Sequence, residues 1–299
     1  MASSLASHLC AFLFFFLIGV RRLVAFFSLY LKNSHHHQFR SKPWYLFHSS
    51  STPCFDLYIL LITIPVASFS DLYLFLSILP HRFHFLHHQA IFTFFWLLLL
   101  LILLTQHHTQ HSPPLLLLPD TFLFLFAFAA FLVDYYFIIN NNDDVSVSSV
   151  VYNLSGVLSL LCAASCIYLS VCPYSFLAEF ALSAGLVFKG TWVMQAGLNL
   201  NSDVFGFKGC QKIVTGQMSD VIVKCGLQED TLRAVALIDL LFVCHSIGIL
   251  VATFALFAFL SASNCAAAGL STGVGDATGP LLPASDQLEP PDSVQFEIQ

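Results

Sequence analysis

Lys189 and Gln195 stand six residues apart in LVFKGTWVMQAGLNL, residues 186–200, a run apolar enough for lipid. A cation and an amide in such a run can line a polar cavity or bind an anionic headgroup. The plainer reading is that Lys189 snorkels to an interface and Gln195 bonds a neighbouring helix. Glu179 lies ten residues before Lys189, about 15 Å along a helix and about 80° round it. The two cannot pair within one helix, so each needs another helix, water or the interface. Trp192 sits between Lys189 and Gln195 and completes this candidate set. Asp239 and His245, in ALIDLLFVCHSIGIL, point about 120° apart on a helix and share no face. A carboxylate or imidazole inside a membrane is a functional candidate by default. Asp56, Asp71 and Asp134 are weaker candidates, because each falls near the end of an apolar run.

The histidines raise a metal question. His84, His87 and His88 fall at i, i+3 and i+4, one face of a helix. Three such ligands could hold zinc with a fourth position left for water. No acidic residue accompanies them and HExxH is absent, so interfacial histidines are the stronger reading. There is no GxSxG, no Walker loop and no dinucleotide fingerprint, and no cofactor is expected.

These side chains need elements to hold them, and composition says what surrounds those elements. Only 9% of the 299 residues are charged and 57% are hydrophobic. Soluble domains carry about 25% charged residues. With a mean hydropathy of +0.79, the chain reads as a membrane protein with the lipid bilayer as its main partner. Eleven basic residues and a net charge of −6 make nucleic acid a poor partner.

A spanning helix needs about 20 mainly apolar residues. Seven stretches approach that length: about 9–31, 55–79, 89–105, 115–139, 150–172, 176–200 and 232–261. None alternates in polarity as a spanning strand would. The expectation is an all-α, polytopic integral membrane helical bundle of about seven transmembrane helices over residues 1–262. Residues 263–299, rich in Gly, Ala, Ser and Pro, read as a disordered tail. Lys32, Arg40 and Lys42 follow the first span, whereas Lys208, Lys212, Lys224 and Arg233 sit in or beside the sixth connector. With seven spans these groups face opposite sides, so the positive-inside rule does not choose an orientation. The acidic tail is expected on the cytoplasmic side, and the identity of the membrane stays open. Cys210 and Cys225 share one polar connector and could pair if it faces an oxidising lumen. The sequon at Asn153 falls inside a span, where a glycan has no room. Ala181 with Gly185, and Gly248 with Ala252, are spaced for close helix packing, in the bundle or at a homo-oligomer face.

FKGTWVMQAGLNL resembles the signature of the transmembrane protein 45 family (domain of unknown function 716). Its Gly-x-Trp-x-x-Gln-x-Gly core corresponds here to Gly190, Trp192, Gln195 and Gly197. Gly209–Cys210 and LRAVALIDLLFVCHSIGILV are similar to plant members. HFLHHQAIFTFF resembles the family's His-rich entry to a helix. Where the family tends to have Trp-His in the first span, this chain has Arg21–Arg22. The resemblance implies a polytopic plant-type membrane protein, with members loosely linked to stress or virus responses and no settled reaction.

Three functions follow as expectations. The leading one is non-enzymatic: a scaffold, a trafficking factor or a small-ligand or lipid binder, in stress or defence. The second is a transporter or channel whose path is lined by Lys189, Gln195, Asp239 and His245. The third, the weakest, is a metal-dependent intramembrane hydrolase.

Overall fold

The computed structural model describes residues 2–33, 39–45, 57–62, 65, 82–111, 119–140, 147–201, 209–214 and 221–273. Among the described residues six long helices carry the chain: α1 (Ala2–Asn33), α2 (Arg82–His111), α3 (Asp120–Asn140), α4 (Val147–Val171), α5 (Phe176–Asn201) and α6 (Gln228–Gly273). Five of them are long and apolar enough to cross a membrane. The apolar stretch of α2, Ala90–Gln106, is shorter. Of the expected span at 55–79, residues 57–62 and 65 are described, all helical, and the remainder lies outside the described residues. In lipid every backbone N–H and C=O must be satisfied within its own segment, which selects helices for these sequences. The fold is the all-α polytopic membrane bundle that the hydropathy pattern implies.

The chain divides into two units, residues 1–260 and 261–299. The first holds the bundle. In the second, the described residues continue α6 to Gly273, and the expected tail beyond it lies outside the described residues.

Local chemistry sets the boundaries. α3 begins directly after Pro119, whose carbonyl accepts the Phe122 N–H at 2.9 Å, and Asp120 supplies a carboxylate to its positive end. Residues 172–175 turn the chain sharply between α4 and α5. There the Ser175 hydroxyl accepts the Ala178 N–H at 3.3 Å, an N-cap.

α1 and α5 run antiparallel in close contact. A Cβ added at Gly19 would lie 2.7 Å from the Val187 backbone nitrogen. One at Gly190 would lie 2.7 Å from the Phe16 nitrogen, and one at Gly197 would lie 2.8 Å from the His8 Cβ. Gly19 and Gly190 thus let two membrane helices touch backbone to backbone, and Gly197 admits the His8 side chain, the close approach that favours small residues at such interfaces. Gly185 faces the other way, towards the Cys162 sulfur on α4. Phe14, Phe15, Phe95 and Phe131 pack edge-on and tilted at the centre of the main core.

Between α5 and α6 the bundle adds a feature that the helical reading does not contain. β1 (Cys210–Val214) and β2 (Val221–Cys225) pair antiparallel, with Cys210 opposite Cys225. The two cysteines form a disulfide, the pairing that an oxidising compartment supports. Gly209 takes φ +79° and its carbonyl accepts the Gly226 N–H. A left-handed φ there suits glycine. Val223 of β2 packs into the same core as Trp192, Val151 and Ile238, which seats the hairpin on α4, α5 and α6.

Candidate functional site

The charged residues of α5 resolve into two separate buried clusters. Lys189, 2% exposed, meets Asp134 of α3, with Nζ 2.8 Å from Oδ2. Ser159 of α4 stands between them: its hydroxyl accepts from Lys189 Nζ at 2.7 Å and donates to Asp134 Oδ2 at 2.7 Å. The ammonium also lies 5.2 Å from the centroid of the Phe15 ring on α1. Four helices therefore meet around one cation. An ammonium among apolar side chains is costly unless it is paired and hydrogen-bonded, and this arrangement supplies both conditions.

Glu179, fully buried, meets Arg22 of α1. Arg22 donates through Nη2 to Glu179 Oε2 at 2.7 Å. Its Nε lies 2.7 Å from Oε1, an ionic contact bent away from the hydrogen-bond direction. The guanidinium also donates to the Pro43 carbonyl at 2.9 Å and to the Ser41 hydroxyl at 3.3 Å. The Ser41 hydroxyl in turn donates to Glu179, and the Ser41 N–H donates to the Pro173 carbonyl at 2.7 Å. Residues 39–45 are thereby tied to α1 and to the α4–α5 turn. Arg suits this place because its planar fork serves a carboxylate and a carbonyl together. Burial pushes the Tyr45 phenol well above its ordinary value, with the Arg22 guanidinium pulling the other way.

The remaining candidates do not join these clusters. Gln195 donates to Asn199 on the same helix at 3.0 Å. His245 Nε2 lies 2.8 Å from the Thr191 hydroxyl and its ring stacks on Phe188, which ties α6 to α5. Asp239 is exposed on α6, next to exposed Leu240 and one turn from exposed Val243. Trp192 is completely buried and donates its indole N–H to the Val151 carbonyl at 3.1 Å, locking α5 to α4. His84, His87 and His88 lie on α2, with their side chains outside the described set. Among the described residues no three His, Cys, Asp or Glu gather as a metal site would require.

The signature around Trp192 therefore has a packing explanation. Gly190 and Gly197 admit α1, Trp192 reaches α4, and Lys189 joins α3 and α4 through Asp134 and Ser159. We expect Gly190→Leu to force α1 and α5 apart. The cost is at least the 1–3 kcal/mol typical of overpacking, read as a lowered thermal midpoint in detergent. Gly248→Leu serves as the control, because a Cβ there meets nothing within 4 Å, and it should leave the midpoint unchanged. Equal midpoints for the two variants would remove the backbone-contact explanation.

In the sequence Arg22 stands out only as a departure from the resembled family's Trp-His, and Asp134 ranks below Glu179 and Lys189 because it falls near the end of an apolar run. Ser159 does not stand out at all. The available signal was arithmetic: two buried acids and two buried bases on different apolar runs must find each other, since lipid offers no other partner.

Among curated proteins none matches the chain. Residues 120–258, which hold Asp134, Ser159, Glu179, Lys189 and Trp192, match the model of a family described as Family of unknown function (DUF716). Over α3, α4, α5, the hairpin and most of α6, just under half of the chain, the sequence is similar to the DUF716 family, which corresponds to the transmembrane protein 45 family.

Proposed function

We propose that this is a multi-pass, non-enzymatic membrane protein that acts by binding, as a scaffold, trafficking factor or small-ligand or lipid binder, in stress or defence. The observation that carries this reading is the closure of its polar groups. Lys189 is taken up by Asp134 and Ser159, and Arg22 by Glu179 and the Pro43 carbonyl. Gln195 bonds along its own helix and His245 bonds Thr191. A transport path needs polar groups that face one shared channel and bind weakly enough to release. These groups face separate partners within the bundle. The exposed α6 surface with Gly248 and Ala252 suits a second copy of the chain, because small residues there let a partner helix approach.

Purified protein reconstituted into liposomes tests the reading. Ion and proton flux should equal that of empty liposomes, and Lys189→Leu and Asp239→Asn should change nothing. Flux that both substitutions abolish would replace this function with the transporter.

A further inference from the structure

A cavity of about 70 Å³ lies among α1, α2, α3, α4 and α5, beside the Arg22 cluster. Its wall is almost wholly apolar. Phe14, Phe95, Leu99 and Phe131 enclose one part, and Arg22 and Trp44 border another. On α1 the lining runs from Phe14 to Arg22, eight residues or about 12 Å. On α3 it runs from Leu123 to Phe131, again eight residues or about 12 Å. The space is thus a slot along the bundle axis, with its polar border at the end where residues 39–45 pack.

That border holds an unused donor. The chain has three tryptophans. Trp96 donates its indole N–H to the Leu61 carbonyl and Trp192 donates to the Val151 carbonyl, each at 3.1 Å. Trp44 is 5% exposed, and its Nε1 is buried with no acceptor among the described residues. A buried donor left without a partner costs about 1–3 kcal/mol and calls for an explanation. The other polar group at the border is no free cation, because Glu179 neutralises Arg22. An anionic headgroup would have to compete with a fully buried carboxylate. A neutral oxygen meets no such competitor.

We propose that the slot binds a slim neutral amphiphile, an alkyl chain ending in a hydroxyl, carbonyl or ether oxygen. The chain lies along Phe14, Phe95 and Phe131, and the oxygen accepts the Trp44 indole N–H. This rests on the binding reading above and gives it a ligand class. The oxygen can come from a diffusible molecule or from a bilayer lipid.

Protein labelled with ¹⁵N-tryptophan in detergent gives three indole N–H signals, assigned with Trp44→Phe. Titration with 1-hexanol should shift the Trp44 signal saturably and leave those of Trp96 and Trp192 in place. n-Heptane, of the same heavy-atom count but without an acceptor, should bind about tenfold more weakly, the worth of one buried hydrogen bond. Ala127→Leu fills the slot while keeping the indole, and should abolish the shift with the other two signals unmoved. In phosphatidylcholine nanodiscs without alcohol, a shifted Trp44 signal assigns the oxygen to a lipid, and an unshifted one assigns it to a diffusible molecule. The proposal is overturned if hexanol moves no signal, moves all three alike, or shifts Trp44 equally in Ala127→Leu. Those outcomes leave the liposome result untouched, so the two readings can fail separately.

Discussion

Glu179→Ala should destabilise the bundle by about 3–5 kcal/mol, the cost of removing one partner from a buried ion pair. The carboxylate takes two contacts from Arg22, one from the Ser41 hydroxyl and a longer one from the Ser183 hydroxyl at 3.4 Å. Without it, the guanidinium keeps its charge, and its described polar contacts reduce to the Pro43 carbonyl and the Ser41 hydroxyl. Thermal unfolding in detergent reads the loss globally. A local readout separates it from general damage. Residues 39–45 are tied down through this cluster, and Arg40 and Lys42 are exposed there. Trypsin should therefore cut after Arg40 faster in Glu179→Ala than in a variant of equal midpoint elsewhere, such as Gly190→Leu; Lys42 precedes Pro43 and is not cut. Arg22→Lys should fall between the wild type and Glu179→Ala, because an ammonium cannot span both the carboxylate and the Pro43 carbonyl as the fork does. Wild-type stability in Glu179→Ala would show that Arg22 is solvated.

The second large effect concerns Lys189. Lys189→Met leaves the Asp134 carboxylate with Ser159 as its described hydrogen-bond partner, and should also cost about 3–5 kcal/mol. The double variant Lys189→Met/Asp134→Leu should recover most of that loss. Replacing a whole buried pair with apolar residues of similar volume is often neutral or stabilising. The recovery should be the more complete because Phe15 already faces the Lys189 head and can pack against methionine. A transporter reading expects the reverse: the double variant would stay inactive in flux, and its stability would be incidental. Failure of Asp134→Leu to restore any stability in the Lys189→Met background would place the Lys189 charge in contact with some other group.

Much of this architecture is written into the sequence at low resolution. The apolar runs at 9–31, 150–172 and 176–200 correspond closely to α1, α4 and α5, because run length in lipid fixes helix length. Glu179 and Lys189 take different partners, as helical geometry alone requires. The identity of their partners was not legible. Arg22 and Asp134 lie 157 and 55 residues from them, and no local pattern encodes which helix neighbours which. The close contact of α1 with α5 could be suspected from Gly19, Gly190 and Gly197, but glycines in membrane helices are common enough that none names its partner. The hairpin was hidden for a different reason. VIVKC has the β-branched alternation of a strand, yet it is five residues long in a connector, where propensity decides little without its partner strand and disulfide. In the sequence His245 is a functional candidate because an intramembrane imidazole is rare, and the stacking of Phe188 against it depends on a helix crossing that the sequence does not display.

The account turns on which acid answers which base. Two double-mutant cycles, measured as unfolding free energies in the same detergent, test this most directly. Lys189→Met combined with Asp134→Leu should show a coupling of at least 2 kcal/mol, within the 0.5–3 kcal/mol range known for residues in contact. Lys189→Met combined with Glu179→Leu should be additive to within about 0.5 kcal/mol, because the two residues sit about 15 Å apart on one helix and belong to different clusters. Additivity in the first cycle, or strong coupling in the second, would contradict the two-lock bundle.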